Sequence, residues 1–120
     1  IPKSWEKYAV HLIDTVVGLF ASELSISHIE TFHYRDYTSV HVVWDSGLIS
    51  EFSTCGTLPA KVSFEVIGDK GVKNVIWDDA FSAFKASLEC FCEQIQAKNP
   101  LIEYAHHKKV VTIIEAGIKK

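Results

Sequence analysis

A single polar stripe runs along an otherwise apolar segment near the start of the chain. Lys7, His11 and Asp14 recur at helical spacing, and Gly18 follows one turn later. At about 100° per residue, these positions fall within a sector of roughly 60° on one side of a helix. Apolar side chains cover most of the remaining circumference: Trp5, Tyr8, Val10, Leu12, Ile13, Val16, Val17, Leu19 and Phe20. We expect so apolar a helix to be buried, and its ionisable side chains then need partners or a water-filled cavity.

The three ionisable groups of this stripe could perform general acid–base chemistry. The His11 imidazole could move a proton near neutral pH, Lys7 could orient a substrate oxygen, and Asp14 could fix the imidazole ring. The alternative is a helix that simply exposes one edge to water, where a contact between His11 and Asp14 adds little stability. The spacing alone leaves both interpretations open.

The composition limits the classes of function. A length of 120 residues suits one domain, and 48% hydrophobic with 22% charged residues is ordinary for a soluble globular protein. A formal net charge of -3 provides no broad positive field, so a nucleic-acid partner is not expected. The chain shows no apolar run long enough for a bilayer and no signal-peptide pattern at its start, so we expect no membrane partner and a cytoplasmic location.

Other clusters of reactive residues are weaker candidates. The chain has three cysteines, Cys55, Cys90 and Cys92, and they do not form a CxxC motif. This number and spacing indicate neither a disulfide framework nor a closed zinc site, and they fit a reducing compartment. The six histidines have no spacing from which a three-ligand metal geometry can be read. The segment Gly68–Gly71 lies between two predicted strands and is interpreted as a hairpin turn rather than a phosphate loop. The basic run His106–Lys109 is interpreted as a solvated helix start, with an anion-binding patch as the alternative.

Periodicity predicts three helices around a block of strands. Ser4 can cap a first helix over Trp5–Phe20, Asp78 or Asp79 can cap a second helix that ends at Asn99-Pro100, and a third helix runs from about Tyr104 to Ile118. Between them the sequence predicts strands at Ile26–Arg35, Thr38–Asp45, Leu48–Cys55, Ala60–Ile67 and Val72–Trp77.

Short turns between these strands predict hairpins and therefore a mainly antiparallel sheet. The fold class is α+β: an open sheet of about five or six strands with all three helices packed on one face. Two sets of residues are expected to face the core, one on the second helix and one on the third: Phe81, Phe84, Leu88, Phe91 and Ile95; Val110, Ile113, Ile114 and Gly117. The opposite face of the sheet is mixed in character: His33, Arg35, Ser39, His41, Val43, Ile49, Glu51 and Ser53.

Five segments, taken in order, resemble the C-terminal domain of the glucose-fructose oxidoreductase, inositol dehydrogenase and rhizopine-catabolism (Gfo/Idh/MocA) family. They are Val10–Asp14, Asp45–Gly47, Val66–Gly71, Phe81–Ile95 and Val111–Gly117, and their order and spacing extend the likeness over essentially the whole chain. The resemblance implies a two-domain oxidoreductase, in which an N-terminal Rossmann domain binds NAD or NADP. The C-terminal domain then binds a sugar or polyol and forms the oligomer interface through its open sheet.

The resemblance also implies roles for two residues of the polar stripe. Members of the family place a histidine at the position of His11, beside the nicotinamide, where it helps to shuttle a proton. Many members carry an aspartate or another polar group one turn earlier, where this chain has Lys7, which could hold a substrate hydroxyl or carboxylate. We therefore expect His11 and Lys7 as catalytic residues, and Lys7, His11 and Asp14 as the substrate-binding set.

The dinucleotide-binding glycines of the family do not occur in this sequence. Residues 1–120 are therefore expected to form one domain, the substrate-binding and oligomerisation half of the enzyme, with the Rossmann domain as its missing partner. This chain alone is expected to hold no cofactor and to be inactive. The alternative is a non-catalytic dimerisation or ligand-binding module with the same fold. The sequence leaves open the identity of the substrate and the choice between NAD and NADP.

Overall fold

The structure is a computed structural model that describes residues 4–99 and 103–119. In this part of the chain one helix is followed by five strands and then by two helices. The elements are α1 (Trp5–Phe20), β1 (Ile26–Tyr34), β2 (Tyr37–Trp44), β3 (Ile49–Cys55), β4 (Ser63–Gly68), β5 (Gly71–Ile76), α2 (Ala80–Ala97) and α3 (Tyr104–Ile118). The α+β class is confirmed, and the bounds of α1 and α3 agree with the periodicity of the sequence. Pro100, named as the stop of the second helix, lies outside the described residues.

The five strands form two separate antiparallel sheets, so the expected single sheet is wrong. One sheet has the order β1-β2-β3, and the other is the β4-β5 hairpin. The two sheets are separated along the chain by residues 56–62. In this segment Gly56 adopts a φ of 58° and Pro59 has no backbone N–H to donate to a ladder. The hairpin closes where Gly68 pairs with Gly71, which confirms the turn predicted there.

The core lies between the three-stranded sheet and the pair of helices α1 and α3. On β2, Val40, Val42 and Trp44 alternate inward and are fully or almost fully buried, as their spacing predicts. The helices contribute Trp5, Ala9, Leu12, Ile13 and Val17 from α1, and Val110, Ile113 and Gly117 from α3. Only one face of α1 is buried, and Val10, Leu19 and Phe20 are exposed although their apolar character predicted burial.

Trp5 joins the two core helices at the start of α1. Its indole Nε1 donates a hydrogen bond to the carbonyl of Ile114 at 2.9 Å, and its ring lies where a side chain at Gly117 would be. Glycine at position 117 therefore allows α3 to approach the indole closely, a role that its place in the apolar pattern did not reveal.

Helix α2 does not pack on a sheet, so that expectation is also wrong. None of its described residues is buried, and the apolar stripe assigned to the core is exposed along its whole length. The inner face of the three-stranded sheet is already covered by α1 and α3, and the hairpin adds no strand to extend that face. An amphipathic pattern indicates that one side of a helix packs against another surface, but it does not identify that surface.

Of the two side-chain caps that the sequence predicts, one forms. Asp79 caps α2 by accepting hydrogen bonds from the backbone amide of Ser82 (2.9 Å) and from its hydroxyl (2.7 Å). The amide bond first, and then the hydroxyl bond, hold the pKa of Asp79 below its ordinary value. Ser4 stands at the N-cap of α1 but makes no side-chain capping bond, so its predicted role is wrong.

Candidate functional site

The imidazole of His11 lies on the exposed side of α1, next to the start of the segment that leads into α2. This ring and the indole of Trp77 form a T-shaped contact, with 5.5 Å between centroids and an interplanar angle of 88°. The ring of Tyr8, one turn earlier on α1, is 6.2 Å away. His11 is therefore accessible and held between two aromatic rings, and only one of these belongs to its own helix.

Trp77 is brought to His11 by the hairpin. The residue directly follows β5, and its backbone amide donates to the carbonyl of Val62 at 2.8 Å. The hairpin is anchored to the core through Val62 and Phe64, and Phe64 also meets Phe20 of α1 at 6.5 Å between ring centroids. Sequence reasoning did not connect Trp77 with the site, because residues so far apart in the chain, on different elements, carry no local signal of contact.

Lys7 and Asp14 line two different clefts of the surface. A cleft of about 630 Å³ is bounded by the start of α1, the β1–β2 turn and the end of β3, and among its lining residues are Lys7, Arg35, Asp36 and Thr57. These surroundings give Lys7 a neighbouring cation and a neighbouring carboxylate. The cleft has the mixed charge that a polar ligand bearing hydroxyl or carboxylate groups would require.

Asp14 is engaged by helix α3 and not by His11. Nε2 of His106 donates to Oδ1 of Asp14 at 2.7 Å, and the His106 side chain is only 13% exposed. Gly18 lies beside this ring, and a Cβ there would lie at an ordinary contact distance of 3.6 Å from Cε1 of His106. The proposed role of Asp14 in fixing the ring of His11 has no support in this geometry, because its carboxylate already fixes another imidazole.

The basic first turn of α3 is only partly a solvated surface. Besides His106, Lys109 reaches across to α1, where its Nζ donates to the carbonyls of Ala21 (3.2 Å) and Ser22 (2.6 Å). A cation at the C-terminal end of a helix also complements the helix dipole. These two side chains therefore tie α3 to α1, whereas His107 and Lys108 remain exposed.

The stripe is thus a row on one helix rather than a closed triad. Helical periodicity correctly placed Lys7, His11 and Asp14 on the outward side of α1, where all three are exposed. Their neighbours differ in the structure: Lys7 lines a cleft of mixed charge, His11 lies near two aromatic rings, and Asp14 contacts a largely buried histidine. Of these, His11 alone combines an accessible titratable ring with a neighbouring apolar platform.

A second polar cluster, which the sequence did not single out as a site, occupies the open face of the three-stranded sheet. The hydroxyl of Ser39 is buried among His41, Glu51 and Ser53, with polar contacts between 3.0 and 3.4 Å. Nε2 of His41 faces both Ser39 (3.0 Å) and Glu51 (3.8 Å). A catalytic triad uses opposite ring nitrogens for the nucleophile and the carboxylate, so this cluster is not one.

Metal coordination and membrane insertion have no support in residues 4–99 and 103–119. No group of three or more His, Cys, Asp or Glu side chains in these ranges is placed to hold a metal ion. In the same ranges, none of the helices combines the length and the hydropathy that crossing a membrane requires.

Comparison of the chain with protein-family models, with curated proteins and with solved structures gives no match. The function of the chain is therefore inferred from the geometry of the site and from the family that its sequence segments resemble.

Proposed function

We propose that this chain is the substrate-binding and assembly domain of an NAD- or NADP-dependent oxidoreductase that acts on a sugar or polyol. The observation that carries the proposal is the accessible imidazole of His11, held beside the exposed indole of Trp77 on the outward side of α1. In the family that the sequence resembles, the histidine at this position works next to the nicotinamide. The geometry supports that role because the ring is open to a ligand and to a partner domain.

The chemistry assigned to His11 is transfer of one proton. Oxidation of a carbinol removes a hydride from carbon and a proton from the hydroxyl oxygen, and a ring nitrogen of His11 accepts that proton. Trp77 presents an apolar aromatic surface beside the ring, which suits the C–H face of a sugar. Lys7, one turn earlier on α1, orients a substrate oxygen as a hydrogen-bond donor.

We assign the dinucleotide to a separate domain, because the strand-to-helix connection in the described residues lacks the features of a Rossmann pyrophosphate site. In these ranges the connection from a strand to a helix runs from β5 to α2 through Trp77, Asp78 and Asp79, without a glycine that would admit a pyrophosphate to the helix N-terminus. Two carboxylates at that turn would also repel phosphates. The cofactor therefore belongs to a separate nucleotide-binding domain, the Rossmann partner that the resemblance implies.

The decisive experiment uses the parent protein in which this chain is joined to that domain. NAD(P)H formation is followed by absorbance with a panel of cyclitols, aldoses and sugar nucleotides. The His11→Ala variant is expected to lose about 10²- to 10⁴-fold in kcat/KM, as removal of a general base does. The matched control is His107→Ala, which removes an exposed histidine of α3 and is expected to keep full activity. Equal activity of the two variants, or no activity of the parent on any of these substrates, contradicts the proposal.

The open face of the three-stranded sheet is the proposed oligomer interface. It exposes Phe32, Tyr34 and Ile49 beside the polar cluster of Ser39 and Glu51, and exposed aromatic side chains of this kind are enriched where protein surfaces meet. Ile49, which is 67% exposed, provides the test. Ile49→Lys is expected to weaken self-association in sedimentation equilibrium, whereas an unchanged association constant argues against this face.

A non-catalytic binding or dimerisation module is the second candidate, and one observation favours it. Asp14 is tied to His106 and Lys7 faces a separate cleft, so the stripe is not gathered into one site. Under this alternative the parent protein binds a polar ligand without oxidising it. The activity panel above distinguishes the two functions, because a module binds in calorimetry while producing no NAD(P)H.

A further inference from the structure

Helix α2 is amphipathic with its apolar side facing outward. Phe81, Phe84, Leu88, Phe91 and Ile95, called the α2 stripe below, are between 51% and 78% exposed. The partly covered residues of the helix lie outside the stripe and are small or polar: Ala83, Cys90 and Gln94. Among residues 4–99 and 103–119, no other helix or strand packs extensively against α2. The side of the helix most in need of cover is therefore the side that the described residues leave open.

The spacing of the α2 stripe indicates the shape of whatever covers it. Its members follow one another at steps of three, four, three and four residues, which is the a/d pattern of a helix that packs along a second helix. The positions that flank the stripe are Lys85, Ser87, Cys92 and Gln94, and only one of these is charged. A second helix can therefore approach without burying like charges, and the required occupant is a helix of similar length with an apolar seam.

The exposed area is sufficient for a modest dimer. With about 150–250 Å² for each phenylalanine and somewhat less for leucine and isoleucine, the exposed fractions of these side chains leave roughly 450–700 Å² of apolar surface on the α2 stripe. Patches of this size are at the upper end of what monomeric proteins expose. Complete cover of the stripes of two copies would bury about 900–1,400 Å², which reaches the lower range of specific interfaces.

We propose that the α2 stripe of one chain packs against the α2 stripe of a second copy of the same chain. A second copy supplies a helix of the same length, with the same apolar spacing and the same mostly uncharged flanks, and twofold symmetry places each residue in a self-complementary contact. This interface is separate from the sheet face and does not depend on the proposed enzymatic function. Chains that use both interfaces assemble beyond the dimer.

The test isolates the α2 contact by working in the Ile49→Lys background, in which association through the sheet face is expected to be weakened. Sedimentation equilibrium under reducing conditions is carried out over a range from low to high micromolar protein. A reversible dimer is expected for Ile49→Lys alone. Adding Leu88→Glu at the centre of the stripe is expected to weaken that dimer at least tenfold. The matched control is Ala86→Glu, which adds the same charge at an exposed position away from the stripe and is expected to leave the association constant unchanged.

A second measurement separates loss of pairing from loss of the helix. Hydrogen exchange of the α2 amides is expected to slow as the concentration of the Ile49→Lys protein rises, and to become independent of concentration after Leu88→Glu is added. A strictly monomeric Ile49→Lys protein overturns the proposal. So does equal weakening by the Leu88 and Ala86 variants, or a dimer that Leu88→Glu leaves intact.

Discussion

Replacing Gly117 by alanine is expected to destabilise the chain, although alanine is the better helix former. Gly117 is buried in α3 at the point where Trp5 of α1 crosses it. An added Cβ would lie 2.5 Å from Cζ2 of the indole and nearer still to Cε2 and Nε1. The indole cannot move freely out of the way, because it is itself part of the buried core and donates to the carbonyl of Ile114.

The magnitude follows from three contributions of known size. Forcing an extra methyl into a closed contact costs about 1–3 kcal/mol. Displacing the indole also breaks its hydrogen bond to Ile114, which costs about 1 kcal/mol. Alanine returns about 1 kcal/mol through its higher helix propensity. The net expectation for Gly117→Ala is a loss of about 1–3 kcal/mol in the free energy of unfolding.

Gly18 provides a matched control within the same helix pair. It also lies in an α-helix and faces α3, but a Cβ there would meet Cε1 of His106 at 3.6 Å, which is an ordinary contact. Gly18→Ala is therefore expected to stabilise the chain by about 0.5–1 kcal/mol through helix propensity alone. The same substitution should thus have opposite signs at the two positions.

Urea denaturation followed by far-ultraviolet circular dichroism measures both effects, and tryptophan fluorescence provides a second probe of the same transition. Combining Gly117→Ala with Trp5→Phe should recover part of the loss, because the smaller ring leaves space for the methyl. A coupling free energy of about 1 kcal/mol or more between these positions is expected from the double-mutant cycle. If Gly117→Ala is as stable as Gly18→Ala, the close approach of α1 and α3 at Trp5 is wrong.

Three further perturbations test the polar contacts. Asp79→Asn should retain the N-cap of α2 but remove the dependence of that cap on acid. Because the pKa of Asp79 is lowered in the folded chain, its carboxylate stabilises the helix at pH values above the ordinary pKa, and this stabilisation is lost as the pH falls through the folded-state pKa. Helicity measured by circular dichroism should therefore decline in acid for the parent chain and change less for the variant. Asp14→Ala should lower the free energy of unfolding by about 1 kcal/mol through loss of its hydrogen bond to His106, and a double-mutant cycle with His106→Ala that shows no coupling would contradict the contact. Lys109→Met, which keeps the length of the stem but removes the donor, should cost about 1 kcal/mol in thermal unfolding because two carbonyls at the end of α1 lose their partner, and an unchanged midpoint would argue against that cap.

Local patterns of the sequence were sufficient for the elements that build the core. The alternation of Val40, Val42 and Trp44 predicted the buried face of β2, and the periodicity of Val110 and Ile113 predicted that of α3, because burial repeats every two residues in a strand and every three or four in a helix. These signals lie within a few residues of one another. They say nothing about which separate segments meet.

The features that the sequence did not predict all depend on contacts between segments that are distant in the chain. The division of the strands into two sheets follows from the path of residues 56–62, and α2 is exposed because α1 and α3 already cover the inner face of the three-stranded sheet. At the site, Asp14 and His106 are separated by 92 positions in the sequence. Helical spacing could place Asp14 on the outward side of α1, but no local pattern could show that a histidine of α3 would reach it first.

The two elements that carry the candidate site, α1 with His11 and the β4-β5 hairpin with Trp77, are packed against the core to different extents. Helix α1 is held through Trp5, Ile13 and Val17 to both α3 and the three-stranded sheet, so the rotation that directs His11 outward is set by the core itself. Trp77, in contrast, is carried by a two-stranded hairpin, which alone is at best marginally stable in water and is anchored here by few partly buried side chains. Regions with little buried apolar contact open at lower free energy than the core. The hairpin can therefore move away from His11 while the helix pair stays folded, and a ligand that bridges the imidazole and the indole would stabilise the hairpin as it binds.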